Sequence, residues 1–187
     1  SKMTADLSLP LVPELALFAL SVLVLISGVA GTPAIRIESG HGRMFGWVTF
    51  LGLLAVLGLT FASAEGASLF GGAYVQDSLA IFAKRLVLAA GALSVLASLT
   101  NRQAAFARRA AEYHFTLLFS LLGMMVLVSA RELVLLFVAF ELMSIPLYVL
   151  TGFLKREGTA PEAALKFFLV GTVSAAVIAY GMSFMYG

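Results

Sequence analysis

The amino-acid sequence predicts an all-α, polytopic membrane bundle of about six transmembrane helices, with its N-terminus on the outer (periplasmic) side. Three observations carry that prediction. Hydrophobic residues make up 61% of the 187 residues and charged residues 12%, and the mean hydropathy is +1.02, far from a soluble domain of this size. The apolar residues fall into six runs, each long enough to cross a hydrocarbon core of roughly 30 Å. Basic residues gather in alternate connections, which orients the bundle. Inside lipid the backbone must satisfy its own hydrogen bonds, so every run must be a helix.

The runs cover residues 11–29, 44–64, 78–99, 113–130, 133–154 and 162–186. The first carries Pro13 and Glu14 where a signal peptide would carry basic residues, so it reads as a retained helix, with the Glu14 carboxylate favoured by the helix N-terminus. Gly40-His41-Gly42 supplies turn chemistry ahead of the second run, and Gly71-Gly72 ahead of the third. In the third, Lys84 follows Asp77 by seven residues and shares its helical face, while Arg85 reads as a snorkelling side chain. The fourth holds His114 near one end, read as an interfacial or hydrogen-bonded residue. Gly158-Thr159 and Pro161 suit the start of the sixth, which carries Gly171, Ala175 and Ala179 as a small-residue packing face. No linker divides the chain, so residues 1–187 form a single transmembrane helical domain.

Arg36 and Arg43 follow the first run, Arg102, Arg108 and Arg109 the third, and Lys155 and Arg156 the fifth, whereas Glu65 and Asp77 lie in an intervening loop. Arginine and lysine loops favour the cytoplasm, which places the N-terminus outside. Cysteine is absent and the two histidines, His41 and His114, have no ligand spacing. Disulfides, thiolate metal sites, cysteine-held iron–sulfur clusters and c-type haem are thereby excluded, and neither a metal nor a cofactor is expected in this chain. A net charge of +2, with no continuous basic stripe, excludes nucleic acid as a partner.

The fifth run, ELVLLFVAFELMSIPLYVLTGFLK, holds one charge in its interior, Glu141. An ionisable group at mid-bilayer costs about 3 kcal/mol on insertion scales, so it asks for a purpose. Ser144, Tyr148 and Lys155 lie within about 60° of Glu141 on the helical wheel. Pro146 cannot donate to the carbonyl of Leu142, which bends the helix and leaves an acceptor beside the carboxylate. A bland reading makes Glu141 a packing residue; the functional one makes it part of a proton or ion path. Lys166 lies about 6 Å into the sixth helix and reads equally as snorkelling or functional. It differs from Glu141 in depth by roughly 12–14 Å, so the two are not expected to pair directly.

The stretch LLGMMVLVSARELVLLFVAFELMSIPLYVLTGFLK, with EAALKFFLVG and YGMSFMYG after it, resembles the N-terminal half of subunit N of respiratory complex I, the NADH-quinone oxidoreductase. Pro13-Glu14-Leu15 and the Asp77 to Lys84 region are similar to that subunit's opening helices. The resemblance implies an antiporter-like subunit that moves protons across the membrane while quinone is reduced elsewhere in the complex. It assigns the fifth-helix glutamate to Glu141 and the sixth-helix lysine to Lys166; Lys84 falls where many members carry lysine. It implies that NADH, FMN, the iron–sulfur clusters and quinone belong to other subunits, and that the partners are membrane-arm subunits and the lipid of the cell's inner (cytoplasmic) membrane, rather than the mitochondrial one. Members are more than twice this long and carry further central lysines, so the chain reads as the first part of a longer subunit, or as one completed by a second chain. A subunit of a sodium/proton antiporter or a membrane-bound hydrogenase, and a structural subunit that moves no ions, remain as alternatives.

Overall fold

The computed structural model describes residues 9–30, 39–63, 65–101, 104–154 and 158–186. Six helices cross the bundle: α1 Val12–Ala30, α2 Ser39–Phe61, α3 Ser78–Ser98, α4 Ala110–Leu127, α5 Leu133–Thr151 and α6 Ala160–Tyr186. Each is long and apolar enough to span a membrane. Successive helices alternate in direction, so α1, α3 and α5 start at the end of the bundle where α2, α4 and α6 finish. A small hairpin closes that end, with β1 Ala67–Leu69 antiparallel to β2 Tyr74–Gln76 and Leu69 opposite Tyr74. It is called the hairpin face below. Gly71 and Gly72 turn the chain between the strands with φ of 66° and 96°, values that suit residues without a Cβ.

The helix bounds differ from the hydropathy runs in instructive places. Gly40 to Gly42 lie within α2 rather than in a turn before it. α4 ends three residues before its apolar run does, because the residues beyond Val128 are drawn to the hairpin. Val75 N donates to Ser129 O at 2.9 Å and Arg131 N to Ala73 O at 2.8 Å, with Tyr74 bridging to Ala130. Side chains fix the helix starts at this face: Asp77 caps α3 through Ala80 N, and Glu132 caps α5 through Val134 N and Leu135 N. Arg36, Arg102, Lys155 and Arg156 lie outside the described residues.

α4 is the central helix, packed against α1, α2, α3 and α5, while α6 packs chiefly on α5 and has no buried residue. The core joins Leu17 and Val24 of α1, Leu53 and Val56 of α2, Leu88 and Val95 of α3, and Leu118, Leu121 and Met125 of α4. Outward positions such as Leu23, Leu51, Phe82, Leu93 and Val138 are exposed and apolar, as a lipid-facing surface requires. Because lipid tails are as apolar as leucine, close packing rather than hydrophobicity joins such helices. At Gly123 of α4 the helices cross backbone against backbone: a Cβ there would lie 2.7 Å from the carbonyl carbon of Leu142 and 2.8 Å from Met143 Cα on α5.

Candidate functional site: two buried ionisable groups

Glu141 lies nine residues past the Glu132 cap, about 13 Å along α5 from the hairpin face. Ala139, Ser144 and Pro146 are the buried residues of this helix, and the α4 crossing at Gly123 touches its Leu142–Met143 backbone. Ser120 of α4 donates to Met143 O at 3.0 Å, so α4 supplies a hydroxyl next to the section that Pro146 deprives of a hydrogen bond. Glu141 is half-buried, and its Oε1 is buried with no hydrogen-bond partner among the described residues. That is an atypical state for a carboxylate, whose oxygens normally hold donors when water is excluded.

The polar stripe expected beside Glu141 is only partly present. Ser144 turns its hydroxyl back to Phe140 O at 2.8 Å, the helix-internal bond that serine commonly makes. Tyr148 stacks edge-on against Phe167 and Phe168 and covers Gly171 of α6. Lys155 lies outside the described residues. The close Gly152–Ala164 contact, where a Cβ on Gly152 would lie 2.8 Å from Ala164 Cβ, gives the register of the antiparallel α5 and α6. Glu141 is eleven residues to the hairpin side of that contact and Lys166 two, about 13–14 Å apart along the axis at 1.5 Å per residue. This agrees with the 12–14 Å expected from helix ends. Lys166 is exposed and pairs with Glu162 at 2.5 Å, one turn away on α6.

Lys84 is in a different setting. Its ammonium is buried and its three donors meet three acceptors: Glu14 Oε1 at 2.6 Å, the Tyr74 hydroxyl at 2.7 Å and Gln76 Oε1 at 3.0 Å. Tyr74 in turn donates to Glu14 Oε1 at 2.7 Å. All four residues are at most 5% exposed. They come from α1, β2 and α3, so the group forms only once the hairpin has folded over the two helix starts. The second oxygen of Glu14, Oε2, is buried without a partner among the described residues. Burial, and then the neighbouring Glu14 charge, push the Tyr74 hydroxyl well above the usual phenol range, so it stays protonated and both accepts and donates.

One expectation is corrected here. Glu14 is the counter-ion of Lys84 rather than only a carboxylate at a helix start. Asp77, on the same helical face as Lys84, caps α3 and pairs with Arg131 of the α4–α5 connection, which together hold its carboxyl below the ordinary range, the Ala80 N–H first. Arg85 bonds Thr60 O at 3.1 Å, satisfying a carbonyl in the last turn of α2. His114 is buried, with Nδ1 against Ala110 O at 2.6 Å. The sequence missed Glu14, Tyr74 and Gln76 as partners of Lys84. The usable signal was that Glu14 and Lys84 are opposite charges in apolar runs that begin at one face, although no local spacing could pair residues so distant in sequence. Among the described residues no group of His, Asp and Glu could hold a metal.

Comparison with known proteins agrees in sequence and in fold. Residues 130–187, which include Glu141 and Lys166, match the family described as NADH:quinone oxidoreductase/Mrp antiporter, TM. Over 99% of its length the chain is 37% identical to NADH-quinone oxidoreductase subunit N of Rhizorhabdus wittichii. It is 35% identical, over 95% of its length, to F(420)H(2) dehydrogenase subunit N of Methanosarcina mazei. A chain of respiratory complex I from Thermus thermophilus, solved with bound aureothin, superposes on 94% of this one with a TM-score of 0.71 and 30% identity. The chain spans 37% and 36% of the two relatives and 36% of the solved chain. By sequence and by fold, then, this chain is a homologue of NADH-quinone oxidoreductase subunit N over nearly its whole length.

Proposed function

We propose that the chain is part of a proton-translocating, antiporter-like membrane subunit of NADH-quinone oxidoreductase, and that Glu141 is its charge-switching carboxylate. The observation that carries the proposal is Glu141 itself: a carboxylate about 13 Å from the nearer helix end, in an otherwise apolar span, with a buried oxygen that no described residue satisfies. Such a group costs about 3 kcal/mol to insert, and a packing role would be served at less cost by an amide or a hydroxyl. Lys166 acts as a relay or charge modulator toward the cytoplasmic side and Lys84 as a second proton-transfer group. The separation of Glu141 from Lys166 requires water or further residues between them. Electrons do not pass through this chain. The names of its relatives support that division: one draws on NADH and another on F(420)H(2), so electron donors differ while this segment stays alike. NADH, FMN, the iron–sulfur clusters and quinone are assigned to other subunits.

The hairpin face is placed on the outer side of the cell's inner membrane. Arg43, Arg108 and Arg109 are exposed at the opposite end, whereas Asp77 and Glu132 lie at the hairpin end, in keeping with the cytoplasmic bias of basic loops. The partners are other membrane-arm subunits, the lipid bilayer, and the remaining length of a longer subunit or a second chain that supplies it. An antiporter subunit is the second reading, favoured by the family description that includes Mrp antiporters. The test is Glu141→Gln in the intact complex, with assembly checked first. Proton translocation by inverted vesicles should fall several-fold together with quinone reduction, and Lys166→Gln should reduce translocation less. Normal translocation in Glu141→Gln would sink the proposal and leave a scaffolding role; translocation of sodium instead of protons would favour the antiporter.

A further inference from the structure

The Lys84 ammonium is more than neutralised: it is connected. The same hydroxyl, Tyr74, accepts from Lys84 and donates to Glu14, while the direct Lys84–Glu14 contact is 2.6 Å. Glu14 carries both incoming contacts on Oε1 and keeps Oε2 buried and unpartnered among the described residues. A buried carboxylate oxygen without a donor calls for one, and water is the donor small enough to serve there. Position gives the group a direction. Lys84 reaches the group from about 10 Å along α3 past the Asp77 cap, whereas Glu14 enters it from the first turn of α1, about 3 Å from that helix's start.

We infer that Glu14 is the proton-exchange carboxylate for Lys84, and that protons pass between Lys84 and the hairpin-face solvent through Tyr74 and Glu14. The inference rests on the proposed role of Lys84 in proton transfer. In the outward direction an N–H bond of Lys84 breaks as an O–H bond forms on Tyr74, and the phenol's original proton moves to Glu14 Oε1. The ion pair thereby becomes a neutral amine and a carboxylic acid, with no net change of charge. Rotation of the carboxyl group carries the acid proton to the Oε2 side, where water takes it as hydronium and leaves the carboxylate. A later proton restores the Lys84 ammonium. The inward direction is the reverse. A static clamp would explain the three satisfied donors of Lys84, but it gives no use to the open oxygen of Glu14.

The decisive experiment uses the intact complex in proteoliposomes. Glu14→Gln keeps an oxygen for Tyr74 and Lys84 but cannot take a proton, and should lower proton translocation several-fold, as Lys84→Gln should, with assembly preserved. The infrared difference spectrum between acidic and alkaline pH should contain a carboxylic-acid band that Glu14→Gln removes and Lys84→Gln retains. If Glu14→Gln strands the lysine charge and blocks assembly, Glu14→Gln/Lys84→Gln strands none and is compared with Lys84→Gln for loss of that band. Normal translocation in Glu14→Gln, or no band that depends on Glu14, overturns the inference. Impaired Glu141→Gln beside normal Glu14→Gln leaves the proposed function standing without this route; normal Glu141→Gln defeats the function itself.

Discussion

Gly123→Ala is the substitution that best tests how Glu141 is held. A Cβ at this position would lie 2.7 Å from Leu142 C and 2.8 Å from Met143 Cα, where van der Waals contact between carbons is about 3.5–4.0 Å. The obstructing atoms are backbone, so no rotamer change relieves the clash, and α4 and α5 must part by roughly 1 Å. Overpacking of this kind costs about 1–3 kcal/mol. The same movement stretches the Ser120–Met143 hydrogen bond from 3.0 Å beyond its useful range, adding about 0.6 kcal/mol on the scale of membrane hydrogen bonds. The expected loss is therefore about 2–4 kcal/mol, or roughly 4–16 °C at 2–4 °C per kcal/mol for a protein of this size. Thermal unfolding of the detergent-solubilised chain measures it, with Gly58→Ala as control because nothing lies within 4 Å of the added carbon. Equal melting of Gly123→Ala and the parent would refute the claim that this crossing sets the α4–α5 spacing.

Lys84→Met leaves Glu14 buried without its counter-ion, and should destabilise the chain by about 3–5 kcal/mol, whereas Glu14→Gln/Lys84→Met should cost little by comparison; thermal unfolding of the two variants is the check. Asp77 has a depressed carboxyl, so its contribution is full above the ordinary carboxylate range and is lost as pH falls from that range through the lowered folded-state value. Asp77→Asn keeps an N-cap residue but not the charge facing Arg131, and a melting curve as steep in acid as the parent's would contradict this. Lys166→Gln removes only an exposed pair with Glu162 and should change melting by less than about 1 kcal/mol, so any loss of translocation in that variant reports function.

The spans were legible because lipid imposes a rule that hydropathy reads directly: a helix must be apolar along its whole length. Their ends were less legible for the same reason. Ser129 and Ala130 are apolar enough to extend α4 on paper, yet their backbones pair with Val75 and Tyr74, a contact between segments that no local pattern encodes. Glu141 stood out because a single charge in an apolar run is visible without knowing its neighbours. Lys84 was visible too, but helical periodicity offered only Asp77 as an acid on its own face and gave no sign of Glu14 as its partner. The choice of Glu14 depends on the hairpin bringing Tyr74 and Gln76 between α1 and α3, which lies beyond helical periodicity.

The two sites have similar depths, about 10 Å for Lys84 and about 13 Å for Glu141, and lie on different helices, α3 and α5. α3 and α5 each pack against α4, which presents Leu118, Leu121, Leu122 and Met125 to the core with Leu88 of α3 beside them. With interaxial distances of 8–10 Å at each contact, the two outer axes are roughly 12–20 Å apart. At about 16 Å and an effective dielectric of 20, a unit charge at one site acts on the other with about 1 kcal/mol, a factor of about five in an equilibrium. Even that influence is largely cancelled while Lys84 and Glu14 are both charged, because Glu141 then sees a dipole rather than a net charge. Proton transfer inside the Lys84–Tyr74–Glu14 group leaves the net charge at zero. Only exchange with solvent through Glu14 changes it, so under the proposed scheme that exchange, rather than the internal transfer, is the step able to signal across α4 to Glu141.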